Sequence, residues 1–183
     1  MKIKPTHIND LKIVESDVHS DTRGTFTRLF CEQELLQNLE HRRIVQINQS
    51  CTNALGAVRG LHFQLLPNAE MKLVRCLKGK VWDVAVDLRP DSSTYLQWHA
   101  EVLSPTNALM MLIPEGFAHG FQVLEAGSEL LYLHTASYSP GSERGLRYDD
   151  PRLKISWPIK VTDLSLRDAC HPLIDVSFQG VIL

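Results

Sequence analysis

The segment Val81-Trp82-Asp83-Val84-Ala85-Val86-Asp87-Leu88 has the alternation of residue types that best indicates the fold. Side chains of a β-strand point alternately to opposite faces, so four apolar residues beginning at Trp82 share one face. Asp83 and Asp87 fall on the other face. Such a strand is either half exposed to solvent, or it is a barrel strand whose polar face lines a ligand cavity. The histidine-bearing segments elsewhere in the chain favour the barrel.

On both sides of this segment, short stretches rich in β-branched or large apolar residues recur along the chain. They predict strands at Ile44–Gln49, Lys72–Leu77, Val81–Leu88, Tyr95–Leu103, Leu109–Ile113 and Glu129–Thr135. Lys78-Gly79 predicts a hairpin turn. Helices are expected only at Glu32–Leu39 and near Leu164–Ala169. This pattern predicts an all-β sandwich or barrel, organised as one domain over residues 1–183.

The composition is that of an ordinary globular protein. The chain has 183 residues, 44% of them hydrophobic, and a formal net charge of −2. This charge gives no general reason to bind nucleic acid. No apolar run approaches the roughly 20 residues of a membrane span, and the N-terminus lacks the apolar stretch of a signal peptide. The four cysteines are scattered without a C-x-x-C pair, so we expect free thiols in a reducing cytoplasm.

Reactive side chains concentrate in three segments with strand character, which are Arg59–Gln64, Pro114–Phe121 and Leu130–Tyr138. The first two are similar to the halves of the cupin metal motif, in which histidines and a carboxylate converge inside a small β-barrel. Here the position two after His62 is Gln64, and Lys72 follows nearby. A neutral amide and a cation are poor replacements for metal ligands. No metal is therefore expected, although Glu70 offers a carboxylate close by.

Without a metal, the remaining groups suit the enolisation of a ketone. A histidine base, a lysine cation and a tyrosine acid would divide the proton transfers and the enolate charge among His62, Lys72 and Tyr132. Histidine has the ordinary pKa nearest neutrality, so His62 is the natural base. It needs a carboxylate partner, and either Asp83 or Asp168 could serve. A structural, hydrogen-bonded role is expected for the other histidines His7, His19, His41, His99 and His171.

A series of motifs in one order spans nearly the whole chain. They are Asp21–Phe26, Gln46–Ser50, Arg59–Gln64, Lys72–Cys76, Asp83–Arg89, Ile113–Phe121, Tyr132–Tyr138, Gly145–Pro151, Ile155–Pro158 and Leu164–Asp168. With these motifs the chain resembles the dTDP-4-dehydrorhamnose 3,5-epimerases. The resemblance implies a cupin-type double-stranded β-helix, or jelly-roll barrel, with a few short peripheral helices. It also implies an isomerase that needs no cofactor.

The resemblance implies 3,5-epimerisation of a 4-keto-6-deoxyhexose linked to a nucleoside diphosphate. The expected conversion is dTDP-4-dehydro-6-deoxy-D-glucose to dTDP-4-dehydro-L-rhamnose, because the C4 ketone acidifies the hydrogens at both C3 and C5. By similarity His62 is the general base and Asp168 its carboxylate partner. Lys72 would hold the C4 oxygen as charge develops, and Tyr132 would be the general acid on the opposite face of the sugar.

The resemblance also assigns residues to substrate binding. Arg23 and Arg59 match diphosphate contacts, a task to which a bidentate guanidinium is suited. Tyr138 matches the residue that stacks on the base. Further substrate-contact positions are Gln46, Asn48, His119, Glu143 and Arg167. Asp83 is expected to orient His119, an inference from strand alternation. Family members are homodimers with exchanged N-terminal strands, so Arg23 would serve the neighbour's site.

Two departures from the family pattern bear on the substrate. Arg28 stands where many thymidine-specific members have glutamate, and Arg167 stands where lysine is frequent. Three alternatives therefore remain open. The chain could be a 3-epimerase that inverts one centre, or it could act on a GDP- or CDP-linked ketosugar. It could also be a non-catalytic sugar-binding cupin, although such a protein would be expected to lose the base or the acid.

Overall fold

The computed structural model describes residues 1–183 and is built almost entirely of β-strands. Its strands are β1 (Lys2–Pro5), β2 (Lys12–Glu15), β3 (Val18–Asp21), β4 (Gly24–Thr27), β5 (Gln46–Thr52), β6 (Val58–Gln64), β7 (Lys72–Lys78), β8 (Val81–Asp87), β9 (Trp98–Leu103), β10 (Leu109–Ile113), β11 (Phe117–Val123), β12 (Ser128–His134) and β13 (Glu143–Gly145). The helices are α1 (Glu32–Leu35) and α2 (Leu166–Ala169). Neither helix has the length or apolar character needed to cross a membrane.

Two antiparallel sheets face each other and form the predicted jelly-roll barrel. The six-stranded sheet has the order β1-β2-β10-β7-β12-β5, and the five-stranded sheet has the order β13-β6-β11-β8-β9. From β5 to β8, and again from β9 to β13, each successive strand crosses to the opposite sheet. This repeated crossing is the double-stranded β-helix of the cupin fold, and the fold prediction is confirmed. The hairpin β3–β4 pairs only with itself.

The turn between β7 and β8 differs from the sequence prediction. Lys78-Gly79 was expected to close a hairpin, but the two strands belong to different sheets and do not pair. Gly79 takes a left-handed φ of +75° at the corner between the sheets. Glycine favours this conformation in tight turns of several kinds, so the local signal could not distinguish a hairpin from a corner.

The two faces of β8 are both buried, which excludes the half-exposed alternative. Val81 and Ala85 pack in the interior between the sheets. Val84 and Val86 pack on the outside of the five-stranded sheet, where the C-terminal third of the chain covers them. Asp83 lies on the interior face with none of its surface exposed. The polar face of β8 therefore looks into the barrel.

Most predicted strands are found, and their ends shift by a few residues. The strand expected at Ile44–Gln49 runs over Gln46–Thr52, and β9 begins at Trp98 and not at Tyr95. The helix expected at Glu32–Leu39 ends at Leu35 and continues as turns. The buried side chains of Leu35 and Leu39 pack on the outer face of the six-stranded sheet, so tertiary packing holds this segment without a full helix.

Candidate active site

A cavity of about 260 Å³ opens between the two sheets and takes its lining from both. The five-stranded sheet contributes Arg59, His62 and His119. The six-stranded sheet contributes Asn48, Lys72 and Tyr132. The barrel therefore joins residues that the sequence distributes over five strands.

Two glycines bring β6 and β11 close together beside this cavity. Gly60 has a φ of +120°, and a Cβ atom there would lie 2.6 Å from the Cα of Gly120. Only glycine fits this approach. The pairing shifts register next to it, and it places His62 directly opposite His119 on the neighbouring strand. Both imidazoles thus reach the same wall of the cavity.

His62 forms a hydrogen-bonded dyad with Asp168, which the chain places 106 positions later. Nε2 of His62 is 2.7 Å from Oδ1 of Asp168, and the backbone N–H of Gly60 donates to Oδ2 at 3.1 Å. Ser165 caps α2 by accepting from the Asp168 N–H at 3.0 Å. Burial alone would raise the pKa of Asp168, but the bonds from His62 and Gly60 lower it to about 2. The carboxylate is thus ionised and fixes the ring of His62.

The depressed pKa of Asp168 predicts a specific loss of stability in acid. A carboxyl group with a lowered pKa stabilises the fold above its unfolded value of about 4, and this contribution disappears as the pH falls towards 2. The advantage of the wild type over Asp168→Asn in free energy of unfolding should therefore shrink by about 2 kcal/mol between pH 6 and pH 2. Urea unfolding at stepped pH measures this difference. A gap that stays constant with pH would contradict the assignment.

His119 and Asp83 form a second dyad on the same wall. Nε2 of His119 is 2.7 Å from Oδ1 of Asp83, so the contact inferred from strand alternation is present. The two residues lie on paired strands, β11 and β8. Oδ2 of Asp83 is buried and has no hydrogen-bond partner. His119 is therefore the one side-chain hydrogen-bond partner of this carboxylate, and the bond orients the imidazole ring.

Tyr132 and Lys72 stand on the opposite wall, on the paired strands β12 and β7. The phenol oxygen of Tyr132 is 2.9 Å from Oγ of Ser50, and the ring lies edge-on to His119 with 6.3 Å between centroids. Burial raises the pKa of the Tyr132 phenol, although the bond to Ser50 opposes this. The phenol is therefore protonated at neutral pH and can act as a proton donor.

The mouth of the cavity carries the charged and aromatic groups expected to bind a nucleotide. The hydroxyl of Tyr138 donates to Glu143 at 2.8 Å, and Arg167 reaches the same carboxylate at 3.1 Å. Oε1 of Gln46 accepts from the Tyr138 backbone N–H at 2.9 Å. A second hollow of about 390 Å³ shares Arg59 with the cavity. The two hollows therefore adjoin at Arg59.

Two of the residues expected at the site lie away from it. Arg23 is 87% exposed at the tip of the β3–β4 hairpin and pairs with Asp21. Arg28 pairs with Glu34 beside the N-terminus. Neither arginine lines the cavity of its own chain. The hairpin that carries Arg23 makes no pairing with either sheet, which explains the separation.

Sequence reasoning assigned no role in the proposed reaction to three residues that the barrel brings to the site, although it noted Glu70 as a carboxylate near the metal motif. His134 and Glu70 line the cavity. His134 follows Tyr132 by two positions on one strand, so the period of two could have indicated it. Nε2 of His171 lies 3.7 Å from Oδ1 of Asp168, and the ring packs edge-on to His62. The structural role expected for His171 stays a prediction, and its ring packs against the His62–Asp168 dyad without lining the cavity.

A metal ion has one candidate donor set, formed by His62, Asp168 and His171 with donor atoms within 4.8 Å of one another. Two of these donors already share the hydrogen bond of the dyad, and the guanidinium of Arg167 lies 3.2 Å from Nε2 of His62. A cation beside this nitrogen opposes a second cation. The arrangement suits a base with its carboxylate better than a metal centre.

Comparison with known proteins agrees with this geometry. The family model described as dTDP-4-dehydrorhamnose 3,5-epimerase matches residues 5–175. A curated dTDP-4-dehydrorhamnose 3,5-epimerase from Sinorhizobium fredii is 42% identical over 185 residues, which covers 99% of this chain and 95% of the relative. A dTDP-6-deoxy-D-glucose-3,5-epimerase from Legionella pneumophila Philadelphia 1, solved with dTDP-4-keto-L-rhamnose, has a TM-score of 0.91 at 40% identity, with 100% and 98% of the two chains covered.

A 3'-monoepimerase from Streptomyces bikiniensis, solved with dTDP-quinovose, is also similar. Its TM-score is 0.86 at 28% identity, with 92% of this chain and 86% of that chain covered. In a double mutant of that protein the substituted histidine and tyrosine are 70 positions apart, as are His62 and Tyr132 here. The matches over the full chain, together with the two dyads and the facing tyrosine, establish that this chain is an isomerase belonging to the dTDP-4-dehydrorhamnose 3,5-epimerase family.

Proposed function

We propose that the chain converts dTDP-4-dehydro-6-deoxy-D-glucose to dTDP-4-dehydro-L-rhamnose by inverting C3 and C5 through enolate intermediates, without a metal ion or other cofactor. One observation carries the proposal. A histidine–carboxylate dyad and a protonated tyrosine stand on opposite walls of one cavity, contributed by opposite sheets. A sugar ring between these walls would lose a proton from one face and gain one on the other, which inverts the carbon.

In the first step His62 takes the proton from C3. The carboxylate of Asp168 accepts from Nε2 of His62, which leaves Nδ1 as the nitrogen that receives the proton. As the imidazolium forms, the ionised carboxylate stabilises its charge. His119, oriented by Asp83, would contact the sugar beside the base.

The electrons of the C3–H bond pass into the C4 carbonyl, and the oxygen becomes an enolate. The ammonium group of Lys72 would donate a hydrogen bond to this oxygen as its charge grows. The metal-free route is supported by Gln64, the residue that replaces a histidine of the cupin metal motif. Its Nε2 donates to Asn68 O at 3.0 Å, and its Oε1 accepts from the Ser139 N–H at 2.7 Å. Its amide is engaged in holding the loop beside Tyr138.

Tyr132 would then donate its phenolic proton to C3 on the opposite face and collapse the enolate to the inverted ketone. The same sequence at C5 completes the reaction, because C5 also lies next to the C4 carbonyl. Between the two inversions His62 must release its proton and Tyr132 must regain one, so solvent supplies one proton to each inverted carbon.

The mouth of the cavity supports a nucleoside-diphosphate sugar as substrate. Arg59 would bind the diphosphate and Tyr138, which is 52% exposed, would stack on the base. Gln46, Asn48, Glu143 and Arg167 would complete the binding surface. Because β1 and β2 pair within the six-stranded sheet of their own chain, a homodimer would exchange the β3–β4 hairpin, which would bring a partner's Arg23 to this mouth. Phe26 and Val18 on this hairpin are 71% and 43% exposed, and a second copy would cover these two apolar side chains.

We further propose that residues 1–183 act as one domain in the cytoplasm. Both sheets contribute residues to the same cavity, which supports their belonging to one domain. The four cysteines are free thiols, and burial raises the pKa of the Cys76 thiol to about 11. An unpaired set of thiols is consistent with a reducing compartment.

The proposal predicts the position of solvent-derived hydrogen in the product. dTDP-4-keto-6-deoxyglucose incubated with the protein in heavy water should acquire deuterium at both C3 and C5, as read by mass spectrometry and proton NMR. No uptake from this substrate, with uptake from the GDP- or CDP-linked ketosugar, would overturn the nucleotide assignment and direct attention to Arg28. No uptake from any of the three would indicate a non-catalytic sugar-binding protein.

A second candidate is a 3-epimerase that inverts one centre, and the similarity to the 3'-monoepimerase favours it specifically. Both enzymes would use the same base and acid. The heavy-water experiment separates them, because deuterium at C3 with hydrogen retained at C5 would establish the single inversion.

A further inference from the structure

Glu70 bridges two cavity residues that belong to neighbouring strands. Lys72 opens β7 and His134 ends β12, and the two residues are direct partners in the pairing of these strands. Oε1 of Glu70 is 3.0 Å from Nζ of Lys72, and Oε2 is 2.7 Å from Nδ1 of His134. The carboxylate therefore uses both oxygens, one for each neighbour.

This cluster is nearly closed to solvent. The side chains of Lys72, Glu70 and His134 are 10%, 7% and 11% exposed. Burial would raise the pKa of Glu70, but the bonds from His134 and Lys72 lower it, so the carboxylate is ionised. Solvent screens an ion pair at this depth far less than one on the surface, so the attraction between Glu70 and Lys72 is stronger.

The backbone around Glu70 is also fixed to the end of β12. Oγ1 of Thr135 accepts from the Met71 N–H at 2.8 Å, and the Thr135 N–H donates to Met71 O at 3.1 Å. On the far side of His134, its Nε2 lies 3.4 Å from Nδ2 of Asn48. The carboxylate is thus held by a rigid frame and not by a mobile loop.

We propose that Glu70, held by His134, is a positioning residue that aims the Lys72 ammonium at the C4 oxygen of the sugar. The inference rests on the proposed function, because it gives Lys72 the enolate oxygen. Glu70 acts through Lys72 and makes no contact with the substrate in this role.

Lys72 needs a positioning residue because the side chain of lysine is flexible. A four-carbon side chain loses many rotamers when it is ordered, and that cost slows the reaction if it falls in the transition state. One hydrogen bond to Glu70 orders the side chain beforehand and leaves two N–H donors for the oxygen. The enolate oxygen would contact the ammonium directly while the carboxylate stays behind it. The attraction at contact distance then exceeds the repulsion from the more distant carboxylate.

A double-mutant cycle with Lys72→Met tests the inference, with deuterium exchange at C3 as the readout. In the wild-type background Glu70→Ala should lower kcat at least about 10-fold and change KM by less than about 3-fold, since an interaction made in the transition state is lost. Glu70→Gln keeps an acceptor oxygen and should lie between the wild type and Glu70→Ala. In the Lys72→Met background Glu70→Ala should cause no further loss.

The possible results separate a failure of the positioning role of Glu70 from a failure of the proposed role of Lys72. A full additional loss in the Lys72→Met background, or a wild-type kcat for Glu70→Ala, overturns the positioning role. A wild-type rate for Lys72→Met instead refutes the proposed function of the lysine, and the inference falls with it. Glu115→Gln is the matched control, because Glu115 is a partly buried carboxylate paired with Arg42 at 2.8 Å outside the cavity. It should leave kcat unchanged, and thermal unfolding of all variants identifies any that fail to fold.

Discussion

Replacing His62 with alanine should lower kcat by about 10²- to 10⁴-fold, the usual contribution of a general base. The variant keeps Asp168, Lys72 and Tyr132 but has no group to remove the proton at C3 or C5. Deuterium uptake at both carbons should fall together with product formation, because exchange and inversion share this first step. Single-turnover mass spectrometry in heavy water measures both rates in one sample.

The control for this variant is His99→Ala. His99 lies on β9 with a side chain 19% exposed, close to the 23% of His62, and it does not line the cavity. The His99→Ala variant should keep its activity. A His62→Ala enzyme within a few-fold of the wild type, with its fold intact by circular dichroism, would contradict the assignment of the base.

Tyr132→Phe should separate exchange from inversion. The variant loses the phenolic proton but keeps the base, so His62 can remove a proton and return a deuteron to the same face. Inversion should fall by about 10²- to 10⁴-fold, the range for a general acid. Deuterium exchange with retention of configuration should persist. Proton NMR of the recovered sugar distinguishes the two, since inversion changes the coupling constants.

Two further variants control for the loss of a hydroxyl group. Ser50→Ala removes the hydrogen-bond partner of the phenol but keeps the proton donor, so its effect on inversion should be much smaller. Tyr148→Phe removes a hydroxyl from a ring that packs against Trp157, outside the cavity, and should be neutral. If Tyr132→Phe lost exchange and inversion equally, the tyrosine would have to act in the first step and not as the second-face acid.

The sequence predicted the structure of β8 correctly. Its alternation of apolar and acidic residues predicted both the strand and the position of Asp83 on the interior face. This was possible because the period of two is a local property of an extended backbone. The same property indicated most of the other strands, with ends displaced by a few residues.

The kind of turn at Gly79 could not be predicted from the local sequence. A glycine with positive φ can close a hairpin or turn the chain into another sheet, and the choice depends on what the following strand packs against. The extent of α1 is a similar case, since the packing of Leu39 against the six-stranded sheet holds a segment that is no longer helical.

The family, the strand pattern and the chemical types at the site were predictable from the sequence alone, because they depend on residue identity and short-range order. Which side chains form the His62 dyad could be read only from the folded barrel. The residues alone left Asp83 and Asp168 open as partners of His62, and the barrel pairs Asp168 with His62 and Asp83 with His119. It also joined Glu70 to His134 and left Arg23 outside the cavity of its own chain. The His62–Asp168 and Glu70–His134 contacts span 106 and 64 positions. They form only when distant segments of the chain come together in the fold, so no local pattern encodes them.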